Sequence, residues 1–407
     1  MLQQRKQPHI LFLQGMPSPF FRRIARGLEA QGWRVSRIHL CPGDELFWRD
    51  GRCYRYRGRY QAWPAYLSQF YRDQQITHLL LLGENRRYHR EAVALAKEEG
   101  IQVWVTDFGY LRPDWLAFEQ DGMSGGSRFP RDRAAIRSLA AMVDAIDWTP
   151  RFKDRAQPMV LGDLAYNFAN LGLGFLYPHY RRSDCRPPTI PYTLASARRL
   201  VGNRLLQRRV ERQIETLSTG DTPYFLFPLQ LWFDFQIVSY SPFENMTAAL
   251  RMVLSSFAEH APEGTLLVLK EHPWDPAMPP LDRLAFGIAK ELGLVGRIQY
   301  LRGGNIDILT EHARGVVTVN STTGMRALWL RRPLLALGQA IYNISGLVHD
   351  GELDSFWREP KAPDSALVED FLRALLQVQI RGGVFTEPGL SHAVEAAVQR
   401  LQESLSA

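Results

Sequence analysis

Apolar positions in the first hundred residues fall into short runs separated by glycine turns and helical stretches. His9 to Gln14 is a compact apolar run, and Gly15-Met16-Pro17-Ser18-Pro19 is a turn. Phe20 to Gln31 then carries Phe21, Ile24, Ala25 and Leu28 at helical spacing, and Gly32 stops it. Val35 to Leu40 is the next strand. Strand, helix, strand in that order is a βαβ unit, which predicts a parallel sheet. The rhythm continues through a strand at Ile76 to Leu82, a helix at Tyr88 to Glu99 closed by Gly100, and a strand at Ile101 to Thr106.

From about Arg131 to Ser218 the pattern is helical, with candidates at Ala134 to Ile146 and Ala195 to Leu217 and the loop Tyr177 to Arg182 between them. Thr219-Gly220-Asp221-Thr222-Pro223 reads as a linker. After it the α/β rhythm resumes. Strands are expected at Tyr224 to Pro228, Thr265 to Lys270, Ile298 to Leu301, Gly315 to Val319 and Pro333 to Leu337. Helices are expected at Thr247 to His260, Leu281 to Leu292, Ile306 to Ala313 and Met325 to Leu330. The expected division is therefore a Rossmann-like α/β half over residues 1–218 with a helical segment at 131–218, a second Rossmann-like half over 219–390, and a closing helix over 391–407.

Composition narrows this picture without choosing a function. The 407 residues are 45% hydrophobic and 22% charged, which is globular and long enough for two cores. The formal net charge of +7 favours acidic partners such as nucleotides, anionic sugars or a phospholipid surface. Cys41, Cys53 and Cys185 match no metal spacing and no disulfide framework, which fits a reducing compartment. The start Met1 to Gln7 is polar, and the run His9 to Leu13 is too short for a secretory segment. No apolar run is long enough to span a bilayer. The expectation is a cytoplasmic protein whose membrane contact is peripheral.

The candidate chemistry sits at strand ends, the edge of an open α/β sheet where ligands bind. Asn320-Ser321-Thr322-Thr323-Gly324 joins a strand to a helix. Small hydroxyl residues there read equally as a phosphate site and as a simple N-cap. Lys270-Glu271-His272-Pro273 follows another strand, where a histidine can donate to a phosphate and a lysine can neutralise a leaving group. A solvated turn is the alternative. Gln230 to Gln236 places Asp234 in an aromatic stretch, so that its carboxylate is either catalytic or tied to a backbone donor. Gln230 and Gln236 are suited to sugar hydroxyls or to holding the loop.

In the first half, Glu84, Asp107, Arg112, Asp114 and Glu119 lie at or after strand ends, where an acid can bind an acceptor hydroxyl, act as a base or serve structure. The basic set Arg181, Arg182, Arg186, Arg198, Arg199, Arg204, Arg208, Arg209 and Arg212 reads as a site for anionic headgroups or as a solvated helix face. No nucleic-acid module, GxGxxG, P-loop or HExxH motif is present.

Taken in order, these segments resemble the KpsS/LipB-type capsule polysaccharide synthesis proteins. The resemblance is carried by Gly15 to Phe21 with Arg22 to Ala25, Gly43-Asp44, Phe47-Trp48, Gly83 to Arg86 and His89-Arg90. Gly109 to Trp115, Pro130 to Asp132, Gln230 with Asp234, His272-Pro273 and Ser321 to Gly324 extend it along the chain. The sequence departs from the family pattern at Met16-Pro17, Glu84-Asn85 and Thr106-Asp107-Phe108. The resemblance implies a GT-B-like arrangement, two Rossmann-like domains facing a central cleft with a helical insertion. It implies retaining transfer of Kdo from CMP-β-Kdo to a phosphatidylglycerol-type lipid, the first step of a poly-Kdo linker. Asp234 would be the nucleophile. His272 and the hydroxyls of Ser321 to Thr323 would hold the CMP phosphate, with Lys270, Glu271, Pro273, Asn320 and Gly324 around the nucleotide. Gly15 and the first-half acids would lie on the acceptor side. The implied partners are CMP-Kdo, an anionic phospholipid or lysophospholipid, the inner-membrane surface and other capsule biosynthesis proteins, with no metal, no separate cofactor and no nucleic acid. Two other readings stand beside it: a non-catalytic capsule assembly or export factor, and a transferase using a different nucleotide sugar.

Overall fold

A computed structural model describes residues 7–405 except 145, 183–186 and 233. Cys185, Arg186 and Phe233 therefore lie outside the described residues, as does most of the polar start. Twelve strands are present among the described residues: β1 (His9–Phe12), β2 (Arg34–His39), β3 (Cys53–Arg55), β4 (His78–Leu82), β5 (Gln102–Phe108), β6 (Trp115–Gln120), β7 (Tyr224–Pro228), β8 (Leu266–Lys270), β9 (Ile298–Leu301), β10 (Gly315–Thr318), β11 (Leu334–Ala336) and β12 (Gln379–Arg381). They form two sheets. One has seven strands in the order β12-β6-β5-β4-β1-β2-β3, and the other has five in the order β11-β10-β7-β8-β9.

The chain divides into two compact units. One comprises Met1–Phe129, Asp144–Ser183 and Leu375–Ala407, and the other Pro130–Val143 and Asp184–Ala374. This differs from the expected division at 218/219 and 390/391. The helical stretch is shared out. Helix Ala156–Leu173 belongs to the first unit, while Arg133–Ala141 and Thr189–Thr219 belong to the second. The closing helix, Gly389–Glu403, is part of the first unit's core, burying Leu390, Ala393, Ala397 and Leu401. It packs on helix Phe20–Ala30 where Gly27 gives it room, since a Cβ there would lie 2.7 Å from a Val398 methyl.

In the first unit β1 to β5 pair in parallel, and central β4 is buried along its whole length. A parallel strand covered on both faces needs a continuous apolar run, and His78-Leu79-Leu80-Leu81-Leu82 supplies one. Two antiparallel strands, β6 and β12, extend the sheet at one edge. Neither is anticipated by the sequence. The β6 run places the acid Glu119 among buried positions, which hides its strand character. The second unit is wholly parallel, β7 lying between β10 and β8. Its core joins Phe225 and Phe227 of β7 to Leu250, Val253 and Phe257 on helix Met246–His260 and to Phe356 and Trp357. No helix among the described residues is long and apolar enough to cross a membrane.

Candidate functional site

The order β10-β7-β8 in the second unit sets three loops side by side at the carboxyl ends of adjacent strands. They are Leu229 to Asp234 after β7, Glu271 to Asp275 after β8, and Asn320 to Thr323 after β10. The sequence places its three second-half motifs on these loops, and the topology brings them to one sheet edge.

The β7 and β10 loops are tied by side chains. Gln230 Nε2 donates to Asn320 Oδ1 at 3.0 Å, and Asn320 N donates to Gln230 Oε1 at 3.2 Å. Gln230 Nε2 also donates to Asp234 Oδ2 at 3.1 Å. Asn320 Nδ2 reaches the carbonyl of Gln236 at 2.8 Å. Asp234 is the N-cap of helix Phe235–Tyr240, its Oδ1 accepting from Gln236 N at 2.9 Å. Both carboxylate oxygens are thereby oriented while the residue stays half-buried. Gln236 holds its side-chain carbonyl oxygen buried with no partner among the described residues.

On the β8 loop, Lys270 ends the strand and is buried, with no ion pair or hydrogen bond to its amine among the described residues. Burial pushes its pKa down, and neighbouring Glu271 pulls the other way. Glu271 has a different occupation. Arg199 of the long helix donates Nε to Oε1 at 2.9 Å and Nη2 to Oε2, and Tyr300 Oη donates to Oε2 at 2.9 Å. Glu271 thus braces that helix to the sheet. His272 is half-buried and Pro273 exposed. Trp274 N donates to His272 Nδ1 at 3.2 Å, which in a neutral ring puts the proton on Nε2 and makes that nitrogen a donor.

Sequence reasoning missed Asp275. It is buried, Ala277 N donates to its Oδ1 at 2.7 Å, and its Oδ2 has no partner among the described residues. Burial raises its pKa to about 6. The available signal was an acid at the end of the Lys270–Pro273 motif, three residues beyond His272.

The β10 loop is a compact turn. Thr323 N donates to Ser321 Oγ at 3.2 Å, Gly324 N to Ser321 O at 3.0 Å and Met325 N to Thr322 O at 3.1 Å. The amides of residues 323–325 are therefore engaged within the turn, and Ser321 Oγ also donates to Thr323 Oγ1 at 3.2 Å. All three of Ser321, Thr322 and Thr323 are partly exposed. Tyr342, also missed, lies beneath. Its Oη donates to Ser321 O at 2.7 Å, and its ring fills the place of a side chain at Gly324, where a Cβ would be 2.4 Å from Tyr342 Cζ.

The first-half residues are more fully committed. Asp114 accepts from Arg151 N, Phe152 N and Arg381 Nε at 3.1, 2.6 and 2.7 Å, and is buried. Glu119 is not on a loop but within β6, accepting from Tyr110 Oη at 2.6 Å and from Ser127 Oγ. Glu84 is buried and accepts from Met123 N at 3.1 Å. Asp107 is half-buried at the end of β5, with Oδ1 on Phe108 N. Arg112 lies over the Phe108 ring at 4.9 Å. Gly15 faces Phe21, whose ring a Cβ would approach to 2.6 Å. Beside Gly15 is a cluster that sequence reasoning noted only as part of a motif. Buried Asp44 accepts from Leu40 N at 2.8 Å and Tyr166 Oη at 3.1 Å, with Gln14 Nε2 at 3.3 Å and Arg37 at 3.6 Å.

These features define a protein of two Rossmann-like α/β units whose second unit gathers polar strand-end loops on one edge. The chain belongs to the capsule polysaccharide biosynthesis protein family, whose family model matches residues 77–385. It is 30% identical over 372 residues to the capsule polysaccharide export protein KpsS of Escherichia coli, covering 90% of this chain and 94% of that protein. It is 30% identical over 390 residues to the capsule polysaccharide modification protein LipB of Neisseria meningitidis serogroup A, covering 93% of this chain and 92% of that one. Among solved structures it is similar to the β-Kdo 2,7 transferase of Thermosulfurimonas dismutans KpsC, at 13% identity and a TM-score of 0.46, covering 98% of this chain and 100% of that one.

Proposed function

We propose that the chain is a glycosyltransferase of capsule biosynthesis that moves Kdo from CMP-β-Kdo to a phosphatidylglycerol-type lipid with retention of configuration. The observation that carries the reading is the juxtaposition at one sheet edge of an oriented carboxylate, Asp234, with the ammonium of buried Lys270, which has no partner among the described residues. Retention requires two displacements. In the first, an Asp234 oxygen bonds to the anomeric carbon of Kdo as its bond to the CMP phosphate oxygen breaks. In the second, an acceptor hydroxyl takes the sugar from Asp234, loses its proton to a base and frees the carboxylate. The leaving phosphate gains negative charge in the first step. Lys270, His272 Nε2–H and the hydroxyls of Ser321, Thr322 and Thr323 are the groups proposed to balance it, with no resident cofactor or metal in the scheme. Gln230 and Asn320 hold the nucleophile loop against the phosphate loop, and Gln236 offers a buried acceptor to the donor. On the acceptor side, Asp107 and Arg112 are the proposed groups with Gly15, being less buried than Glu84, Asp114 and Glu119.

Incubation with CMP-β-Kdo and lysophosphatidylglycerol, with glycolipid detected by mass spectrometry, tests the proposal. Formation of the adduct by the parent and its loss in Asp234→Ala are expected. Absence of glycolipid, with Asp234→Ala releasing CMP as fast as the parent, ends the proposal. A thermal-shift panel of CMP, UDP and GDP separates it from a transferase using another nucleotide and from a non-catalytic assembly or export role, which predicts no shift with any of them.

A further inference from the structure

Helix Ala156–Leu173 is polar toward its own unit and apolar toward the outside. Its inward face carries Tyr166, Asn167 and Asn170. Tyr166 bonds Asp44, Asn167 accepts from Arg182 at 2.8 Å, and Asn170 accepts from Gly43 N at 2.7 Å. Gly162 lets the helix approach so closely that a Cβ would lie 2.4 Å from the Pro17 carbonyl. Leu161, Ala165, Phe168 and Gly172 recur at helical spacing on the opposite face, and all are exposed. Leu161 is 65% exposed, and Phe175, in the turn that continues the helix, is 73% exposed. An ordinary surface helix has the reverse pattern.

The long helix Thr189–Thr219 repeats the feature in the second unit. It buries Val210, Ile214 and Leu217 and pairs Arg199 with Glu271. Its outward stripe is Ile190, Leu194, Ala197, Val201 and Leu205, all exposed, Leu205 at 82%. Arg198 and Arg204 flank that stripe, and Arg208 continues it toward the helix end. None of these three arginines forms an ion pair among the described residues.

Apolar side chains held outward at this density are unfavourably exposed to water unless something covers them. A second copy of the chain would need acids to meet the arginines, and the exposed stripe itself carries none. An amphipathic helix with an apolar stripe bordered by arginine suits the interface of an anionic bilayer, the stripe entering the acyl boundary and the guanidinium groups meeting the headgroup phosphates. We propose that each of these two helix faces docks separately on bilayers rich in anionic phospholipid, that of Thr189–Thr219 through its stripe and arginines and that of Ala156–Leu173 through its apolar residues. The proposal rests on the reading above only in taking the acceptor to be a membrane lipid.

Co-sedimentation of the full chain with vesicles tests it. Phosphatidylserine in phosphatidylcholine supplies negative charge without the proposed acceptor, and pure phosphatidylcholine is the neutral comparison. The parent should partition onto the anionic vesicles, and raised salt should weaken the binding. Leu161→Ser with Phe168→Ser, and separately Val201→Ser with Leu205→Ser, should each lower partition at least about tenfold with unchanged circular dichroism. Arg198→Gln with Arg204→Gln and Arg208→Gln should lower it to a similar degree and flatten the salt dependence. The exposed control Val295→Ser should bind as the parent does. Equal partition of parent and stripe variants overturns the proposal, and so does binding that ignores vesicle charge. A parent dimer in light scattering that the serine variants convert to monomer also overturns it. The same variants should release CMP normally with a water-soluble short-chain acceptor. Failure of that transfer in the parent, with vesicle binding intact, counts against the enzymatic reading and not against the docking surface.

Discussion

Gln230 and Asn320 hold each other through two hydrogen bonds, Gln230 Nε2 to Asn320 Oδ1 at 3.0 Å and Asn320 N to Gln230 Oε1 at 3.2 Å. The pair closes a ring of polar contacts from the β7 loop to the β10 loop, and Asp234 hangs from the same Gln230 amide at 3.1 Å. One glutamine thereby sets both the aim of the proposed nucleophile and its separation from the proposed phosphate loop.

Gln230→Ala should therefore act in two ways. It leaves Asn320 buried with an unpaired amide and side-chain oxygen, which costs about 1–3 kcal/mol of stability. It also removes Gln230's hold on Asp234 Oδ2 and loosens the nucleophile, so the turnover number should fall more than the donor KM rises. Urea unfolding and steady-state transfer kinetics measure the two effects. A variant that loses stability but keeps its turnover number would show that Gln230 only holds the loops.

Glu271 and Arg199 give a prediction about role. Arg199 is 14% and Glu271 2% exposed, so removing the carboxylate alone strands a guanidinium in a nearly dry place. Glu271→Met should cost roughly 3–5 kcal/mol, while Glu271→Met with Arg199→Met should recover most of it. CMP affinity, followed by the thermal shift that CMP induces, should survive in the double variant because both carboxylate oxygens are engaged by protein groups. Loss of CMP binding from a well-folded double variant would return Glu271 to the nucleotide.

The contrast between what the sequence made legible and what it hid follows from how each side chain works. Parallel strands such as β4 and β7 are continuous apolar runs between glycine or proline signals, and the polar residues that end them stand out against that background. The three loops of the second unit were visible for that reason. Their wiring was not visible, because Gln230 and Asn320 are ninety positions apart and meet only once β7 and β10 are neighbours. The acids of the first half looked alike in sequence. Their difference lies in partners such as Arg381 for Asp114 and Tyr110 for Glu119, which no local pattern reveals. Helix Ala156–Leu173 fell inside the stretch read as helical but was not set apart as an element. Its apolar face points outward, so its pattern does not mark which side packs on the unit.

Asp275 makes stability depend on pH in a stated direction. Its folded pKa of about 6 lies above the ordinary carboxylate value of 3.8, so the folded chain binds the extra proton between those limits. Stability contributed by that proton is fully present below about pH 4 and is lost as pH rises through about 6, roughly 3 kcal/mol in all. Asp275→Asn removes the titrating group. The stability of Asp275→Asn relative to the parent should therefore rise by that amount between pH 4 and pH 8 in urea unfolding. Parallel pH curves for the two proteins would mean that the carboxyl titrates normally.

Lys270 separates stability from binding most cleanly. The residue is buried, its amine has no partner among the described residues, and its pKa lies below that of a free lysine because the charged form is desolvated. The folded chain therefore releases that proton more readily than the unfolded chain does. The resulting penalty is greatest well below the folded pKa and shrinks as pH rises toward the unfolded value of 10.5. Lys270→Met keeps the length of the side chain and removes the charge, so the empty protein should become more stable at neutral pH. An anionic phosphate brought beside the ammonium compensates its desolvation, and that gain is absent in the variant. CMP affinity should fall roughly tenfold or more, the scale of a charge-assisted hydrogen bond. Thermal melting with and without CMP reads both effects in one experiment: a higher melting temperature without ligand, and a smaller shift with it. A variant that melts higher yet responds to CMP as the parent does would take Lys270 out of the nucleotide site.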